Sequence, residues 1–499
     1  MVYKKPIKFP LLLVLFLVLI FLFRIPSFFE PYWYGDEGIY LTLGQALRKG
    51  LVFYRDIYDN KPPFLYLMAA ISESVFWFRM MTAFWNLLNI VLVYLLAALI
   101  FERKSTAVWV VTLLFGFLTT FPWLEGNIAN GEIFMILPVC AGFTLLWSIL
   151  MKGGGKEKIK KRQALDFFLV GVLFSVGILF KVPAGFDFLA VLLFLLLVIK
   201  KYNPKNLVLV GKKYFYLFLG LSIPILLTIF YYGVVGGLRE YIRAAFLQNL
   251  GYLSSWSGGQ RLPLWQKEIF WRGIILMGIL GAIWIKAKKI SKSFLLICLW
   301  FLMALFGSFL SGRPYPHYLL QVAAPFCFLA GFLLIKLKKT EVLFLGLSLF
   351  LIFFSIFYYK FYFYATVPYY KNFLDFALGI KSKEKYYEYF GGEVVKNYRL
   401  AKFIRERTGD DERIFIWGDS PILYALSRRL PAGRYTAAYH ISDFGGYKET
   451  MESLRRVGPK YIVWMNSEKK PFEELMGFLR AGYVKLEPMG GEVVYRRIK

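Results

Sequence analysis

The feature that most constrains this chain is its set of long, uninterrupted apolar runs. "FPLLLVLFLVLIFLF" at 9–23 and "VLFLGLSLFLIFFSIFYY" at 342–359 have no charged residue. Runs of this kind approach the ~20 residues that carry a helix across a bilayer core. With 499 residues, 58% of them hydrophobic and 20% aromatic, the chain has more apolar surface than a soluble fold needs. The first run could pass for a secretory leader. No small-residue cleavage site follows it, only "RIPSFFEPYW", so it reads as an uncleaved first span.

Eleven transmembrane helices are expected, near 8–28, 79–101, 106–122, 132–151, 164–180, 183–200, 214–236, 270–286, 293–311, 318–335 and 341–360. The charge between them sets the orientation. With the N-terminus inside, the inner segments hold 23 Lys and Arg residues and the outer segments 10, although the outer ones are longer. That bias puts the N-terminus in the cytoplasm and, after eleven spans, the C-terminus outside a cell (plasma) membrane. It also accounts for the net charge of +29 without a nucleic-acid partner. Cys140, Cys298 and Cys327 all fall inside apolar runs and read as small core residues.

Two outer loops are long. Residues 29–78 hold "PYWYGDEGIY" and then "YRDIYDNKPPFLY", followed by an apolar stretch interrupted by Ser72, Glu73 and Ser74 that suggests an interfacial helix. Residues 237–269 read as an amphipathic helix and a Gly/Ser-rich loop, with Trp256 and Trp265 suited to the interface. The expected organisation is a membrane domain over 1–360, a connector along the membrane over 361–392, and an outer α/β domain over 393–499. In the last, "RIFIWG", "KYIVWMN", "YVKLEP" and "EVVYRRI" are strand candidates, and "DSPILYALSRR" opens a helix with Pro421 in its first turn. "WGDSP" has no glycine-rich nucleotide fingerprint, and no catalytic role is assigned to this domain.

Three constellations could carry chemistry. In the first outer loop, Asp36 and Glu37 are followed by Asp56, Asp59 and Lys61, with two prolines fixing the backbone after the lysine. A solvated loop with ordinary charges is the plain alternative. The second is "EGNIANGEIF", where Glu132 opens a span close to Glu125 and Asn130; a favourable helix dipole explains such an acid equally well. The third is "SGRPYPHYLLQVAAP", with Arg313, Tyr315, His317, Tyr318 and Gln321 in one turn. An interfacial belt explains its arginine and tyrosines better than it explains His317. Arg79 and Lys181 lie on the same outer side. Carboxylates that can act as a general base, beside cations suited to phosphate oxygens and next to lipid, suggest a lipid-phosphate substrate.

"YGDEGIYLTLGQAL", "YDNKPPFLYL", "ANGEIFMILP" and "GRPYPHYLLQVAAP" together resemble the GT-C-type integral membrane glycosyltransferases of the protein O-mannosyltransferase and aminoarabinose transferase superfamily. The resemblance covers about 360 residues and implies an all-α polytopic membrane bundle carrying a small C-terminal extracytoplasmic α/β domain. It also implies inverting transfer of a monosaccharide from a polyprenyl-phosphate-sugar donor to a lipid, glycan or protein acceptor on the outer face. By position, Asp36 matches the catalytic acid and Glu37 its neighbour. Lys61 matches the lysine associated with the lipid phosphate, with Asp59 beside it as a substrate-binding residue. Arg79, Glu132, Arg313, His317 and Tyr318 occupy family-like positions and are expected to bind substrate. Aminoarabinose transferases commonly carry Glu immediately before that lysine. Here the residue is Asn60, which weighs against an aminosugar donor. The resemblance requires no metal, although the clustered acids leave Mg or Mn open. The main rival is a polytopic lipid or sugar transporter or flippase. That class needs ionisable groups near the bilayer midplane, and the spans hold few candidates, such as Asp166 and Asp187, both near helix ends.

Overall fold

A computed structural model describes residues 10–101, 105–152, 161–199, 204–249 and 263–498. A helix stands at each of the eleven expected positions. Seven are long and apolar enough to cross a membrane: Leu11–Phe28, Val75–Phe101, Gly131–Met151, Arg162–Phe180, Asn206–Val234, Glu268–Lys289 and Lys339–Tyr358. Thr106–Leu118, Ala184–Leu197 and Lys292–Ser308 are shorter apolar helices. The eleventh, Leu320–Phe332, is 13 residues long and buried along most of its length. The chain is thus a multi-pass membrane protein with a mostly helical fold. The Gly/Ser-rich part of the 237–269 loop, with Trp256, lies outside the described residues.

The fold has two compact units. The first comprises residues 1–25, 82–230 and 248–366; the second comprises 26–81, 231–247 and 367–499. In the first unit, helix packing follows the membrane rule that small residues let backbones approach. A Cβ on Gly171 would lie 2.1 Å from the Leu217 carbonyl oxygen, and one on Gly220 would lie 2.0 Å from that of Phe168. Only glycine fits at this crossing of Lys161–Phe180 with Pro204–Val234. Asp187 is buried but satisfied, since it accepts from Trp300 Nε1 and Gln321 Nε2, each at 2.7 Å.

The second unit gathers the first long loop and the C-terminal chain. The helix α1 (Leu11–Phe28) ends in it, and α2 (Gly35–Arg48) and α3 (Phe64–Ser72) lie wholly within it. Asp36 and Glu37 sit in the first turn of α2, where carboxylates complement the helix dipole. Pro63 caps α3 with its ring-fixed φ, and Glu73 closes it in the left-handed region. Leu67 and Ile71 are exposed while Leu65, Tyr66 and Ala69 are buried, the one-sided pattern expected of an interfacial helix. The next helix, α4 (Val75–Phe101), starts four residues before the expected span because residues 75–78 continue it.

All four expected strands form. The sheet order is β1 (Phe415–Trp417), β2 (Tyr461–Trp464), β4 (Val493–Arg497), β3 (Tyr483–Lys485). β1 and β2 are parallel, whereas β4 runs antiparallel to β2 and β3. Leu400, Ile404, Ile416, Leu423 and Val463 are part of the core that packs helices onto this sheet.

Candidate functional site

The short helix α2 carries two adjacent carboxylates into different surroundings. Successive helical residues point about 100° apart, so Asp36 and Glu37 cannot share a face. Asp36 keeps 35% of its side chain exposed, whereas Glu37 keeps 1%. Asp36 Oδ2 accepts from Tyr40 Oη at 2.9 Å, one turn along the helix, and lies 3.5 Å from Lys61 Nζ. The lysine is also 3.6 Å from Asp59 Oδ2. Its ammonium therefore sits between two carboxylates and lies 5.0 Å from the centroid of the Tyr40 ring. Asp59 is sealed in, accepting from Tyr66 Oη at 2.6 Å and from the Asn60 amide at 2.7 Å. Burial first, and then the carboxylates, hold the phenols of Tyr40 and Tyr66 well above their ordinary range. Both therefore stay protonated and serve as donors.

Behind Asp36, Glu37 belongs to a sealed ionic group. Arg79 Nε and Nη2 reach its two oxygens at 3.0 and 2.6 Å, a two-pronged contact. Arg79 Nη1 meets Glu30 Oε2 at 2.5 Å. Glu30 also accepts from Trp33 Nε1 and Tyr369 Oη, both at 2.6 Å. The side chains of Arg79 and Glu30 have no exposure. Sequence reasoning missed Glu30, which stands one residue before the quoted motif.

The other expected residues fall in the first unit. His317 Nδ1 contacts Glu125 Oε2, and its Nε2 is 3.9 Å from Glu132 Oε1. Lys181 Nζ pairs with Glu132 and lies 4.4 Å from the centroid of the Tyr318 ring. The Tyr364 hydroxyl hydrogen-bonds Glu125. Glu125 itself holds φ at +54°, an uncommon conformation for a side chain of its kind. Burial disfavours the charged imidazole here, but Glu132 and Glu125 outweigh it and His317 is raised above its ordinary value. Arg313 lies half-buried in the same turn, its backbone N–H donating to Ser311 Oγ at 3.3 Å.

One contact had no signal in the sequence. His440, almost wholly buried, places Nε2 3.5 Å from Asp59 Oδ1. It comes from the short helix Ala438–Asp443, 379 positions away in sequence from Lys61. No motif links "AAYHIS" to "YDNKPP", so only the fold reveals the pair.

Part of the sequence and the overall fold have counterparts among known proteins. Residues 56–238 match the family model of dolichyl-phosphate-mannose-protein mannosyltransferase. The matched segment contains Asp59, Lys61, Arg79 and Glu132 and begins after Asp36. A crystal structure of ArnT from Cupriavidus metallidurans bound to undecaprenyl phosphate has 14% sequence identity to this chain. It aligns with a TM-score of 0.60 over 97% of each chain. The archaeal oligosaccharyltransferase AglB from Archaeoglobus fulgidus, in complex with an inhibitory peptide and a dolichol-phosphate, aligns with a TM-score of 0.48. Its sequence identity is 13%, over 91% of this chain and 69% of that one. No curated protein matches the chain in sequence.

Family model and fold together bear out the chain's resemblance to the GT-C-type integral membrane glycosyltransferases. Within that class, its resemblance to the protein O-mannosyltransferase and aminoarabinose transferase superfamily holds, with an ArnT-like fold.

Proposed function

We propose that the chain transfers a monosaccharide from a polyprenyl-phosphate donor to an acceptor hydroxyl on the outer face of the cell membrane, with inversion. The observation that carries this reading is the division of labour between the adjacent acids. Asp36 is accessible and lies beside Lys61, while Glu37 is locked against Arg79. Asp36 removes the proton from the acceptor hydroxyl as its oxygen bonds to the anomeric carbon. The bond from that carbon to the phosphate oxygen breaks, and Lys61 offsets the charge that grows on the departing phosphate. Tyr40 fixes the Asp36 carboxylate through its hydrogen bond.

Glu37 enters this mechanism as support, since with Glu30 it holds Arg79 and anchors the N-terminus of α2. The Arg79 guanidinium is engaged by those two acids, so the phosphate role rests on Lys61. Glu132, Arg313, His317 and Tyr318 keep the substrate-binding role that the resemblance gives them. The transfer needs no metal in this reading, because the Lys61 ammonium already stands between Asp36 and Asp59, where a cation would otherwise offset them. Asp187 is held by two hydrogen bonds, a structural role that supports transfer over transport. The lysine-poor outer segments support a cytoplasmic N-terminus and an extracytoplasmic C-terminal sheet.

The test is comparative mass spectrometry of surface glycolipids and glycoproteins from cells carrying the wild type, a deletion, or Asp36→Asn. A sugar missing from both altered strains identifies donor and acceptor together. If that sugar persists in the Asp36→Asn strain at normal protein level, Asp36 is not the base.

A further inference from the structure

The C-terminal sheet does more than sit beside the first loop in the same unit. Its loops hold the segment that ends in Asp59 and Lys61. The Tyr58 amide donates to the Arg434 carbonyl at 2.9 Å. The Tyr58 ring packs edge-on against Tyr435, His440 and Phe444, with centroids 5.2–5.6 Å away. The Arg434 guanidinium lies 5.3 Å from the Tyr58 ring centroid. On the other side of the motif, a Cβ on Gly38 would meet Ile422 at 2.8 Å, so α2 rests directly on the helix Ile422–Ser427. Thr42 Oγ1 donates to the Gly38 carbonyl at 2.8 Å and reaches the Pro421 carbonyl at 3.4 Å. Both halves of the acid–lysine arrangement, α2 and the 58–61 segment, are thus seated on residues 421–444.

Within that seat, His440 is the polar group placed against the buried acid. Its Nε2 is 3.5 Å from Asp59 Oδ1, while Asp59 Oδ2 takes Tyr66 and Lys61. His440 Nδ1 has no hydrogen-bond partner among the described atoms. With Nδ1 unpartnered and Nε2 the nitrogen turned to the carboxylate, the neutral tautomer that fits this geometry carries its proton on Nε2. Burial favours this neutral form; Asp59 opposes it and Lys61 supports it.

We propose that His440 is a positioning residue for the Asp59–Lys61 pair, so that the C-terminal α/β region builds part of the transfer site. With one oxygen of Asp59 turned to His440, the other is presented to Lys61, which keeps the ammonium beside Asp36. The inference rests on the donor reading above, since what His440 organises is the residue assigned to the lipid phosphate.

The test compares His440→Leu, which keeps volume and loses the donor, with His440→Gln, which restores an N–H near Nε2. Binding of undecaprenyl phosphate to the full-length protein is measured in detergent, with dolichol phosphate in a parallel arm. His440→Leu is expected to bind about tenfold more weakly, and His440→Gln to recover most of that loss. Equal affinity in wild type and His440→Leu overturns the inference, as does equal loss in both variants, which would signal packing alone. Should His440→Leu fail to fold, the wild type supplies a second reading. The chain has two histidines, so the His440 ring resonance can be followed in histidine-labelled, tag-free protein. It is expected to shift when the lipid phosphate binds, and a fixed resonance overturns the inference. Absence of lipid-phosphate binding by the wild type sinks the donor reading and this one with it. Binding that is indifferent to His440 sinks this one alone.

Discussion

His317 and His440 are the chain's two histidines, and both are almost wholly buried. In the first unit, His317 has a carboxylate near each ring nitrogen, Glu125 at Nδ1 and Glu132 at Nε2. A neutral imidazole would turn a lone pair toward one of them, so the imidazolium fits and the ring is raised above its ordinary value. In the second unit, His440 meets Asp59, whose charge is already shared with Lys61 and Tyr66. There burial prevails and the ring is lowered. Equal burial leads to opposite shifts because His317 has two carboxylates, one beside each ring nitrogen, whereas His440 has one. The direction a buried histidine shifts is thus set by how many acids face its ring against the cost of burial.

The largest expected effect comes from removing a cation that has no substitute. Arg79→Met leaves Glu30 and Glu37 buried together without a partner, and breaking such a group costs roughly 3–5 kcal/mol. The expected outcome is a steep fall in the melting temperature of detergent-solubilised protein. Near-normal melting would show that the pairing of Arg79 with those acids contributes little to stability. Next is Lys61→Ala. It should weaken lipid-phosphate binding by about tenfold, and, because Lys61 lowers His440, the ring should also move toward the charged form. A His440 titration unchanged by loss of the lysine would break the comparison at its second member. Glu125→Gln removes one of the two acids at His317, and that ring should fall while His440 stays put. Movement of both rings would mean that the clusters are not independently set.

The smallest effect is on stability as pH varies, and the two rings act in opposite senses. His317 is raised in the fold. Its stabilising contribution is therefore complete below the ordinary value of about 6.5 and is lost as pH rises through the folded value. His440 is lowered, so its contribution is present above about 6.5 and is lost as pH falls through the folded value. Melting curves of His317→Gln should lose the alkaline decline and those of His440→Gln the acid one. Treatment with EDTA should leave transfer intact, since Lys61 supplies the local cation.

The helices were legible because membrane spans follow from apolar run length, which is a local property. The strands at 415–417, 461–464, 483–485 and 493–497 were legible for the same reason, through short apolar runs between turns. Asp36 and Lys61 could be nominated because aromatics and prolines crowd them in one loop. What the sequence did not disclose were pairings made by distant chain. Glu30 joined Arg79 across a helix start, His317 joined Glu125 across 192 positions, and His440 joined Asp59 from the domain to which no catalytic role had been assigned. The separate roles of Asp36 and Glu37 came from the resemblance, with both read as part of an outer loop; that they open a helix, and that Glu37 is the one facing Arg79, depended on the fold.

The most direct measurement takes purified Asp36→Asn protein and follows both undecaprenyl phosphate binding and sugar transfer, once the donor has been identified from the surface glycans. Loss of a general base is expected to lower transfer by about 10²–10⁴-fold, while Lys61 keeps lipid-phosphate affinity near that of the wild type. Transfer at the wild-type rate in a folded Asp36→Asn protein would contradict the assignment of Asp36 as the base and, with it, the proposed mechanism.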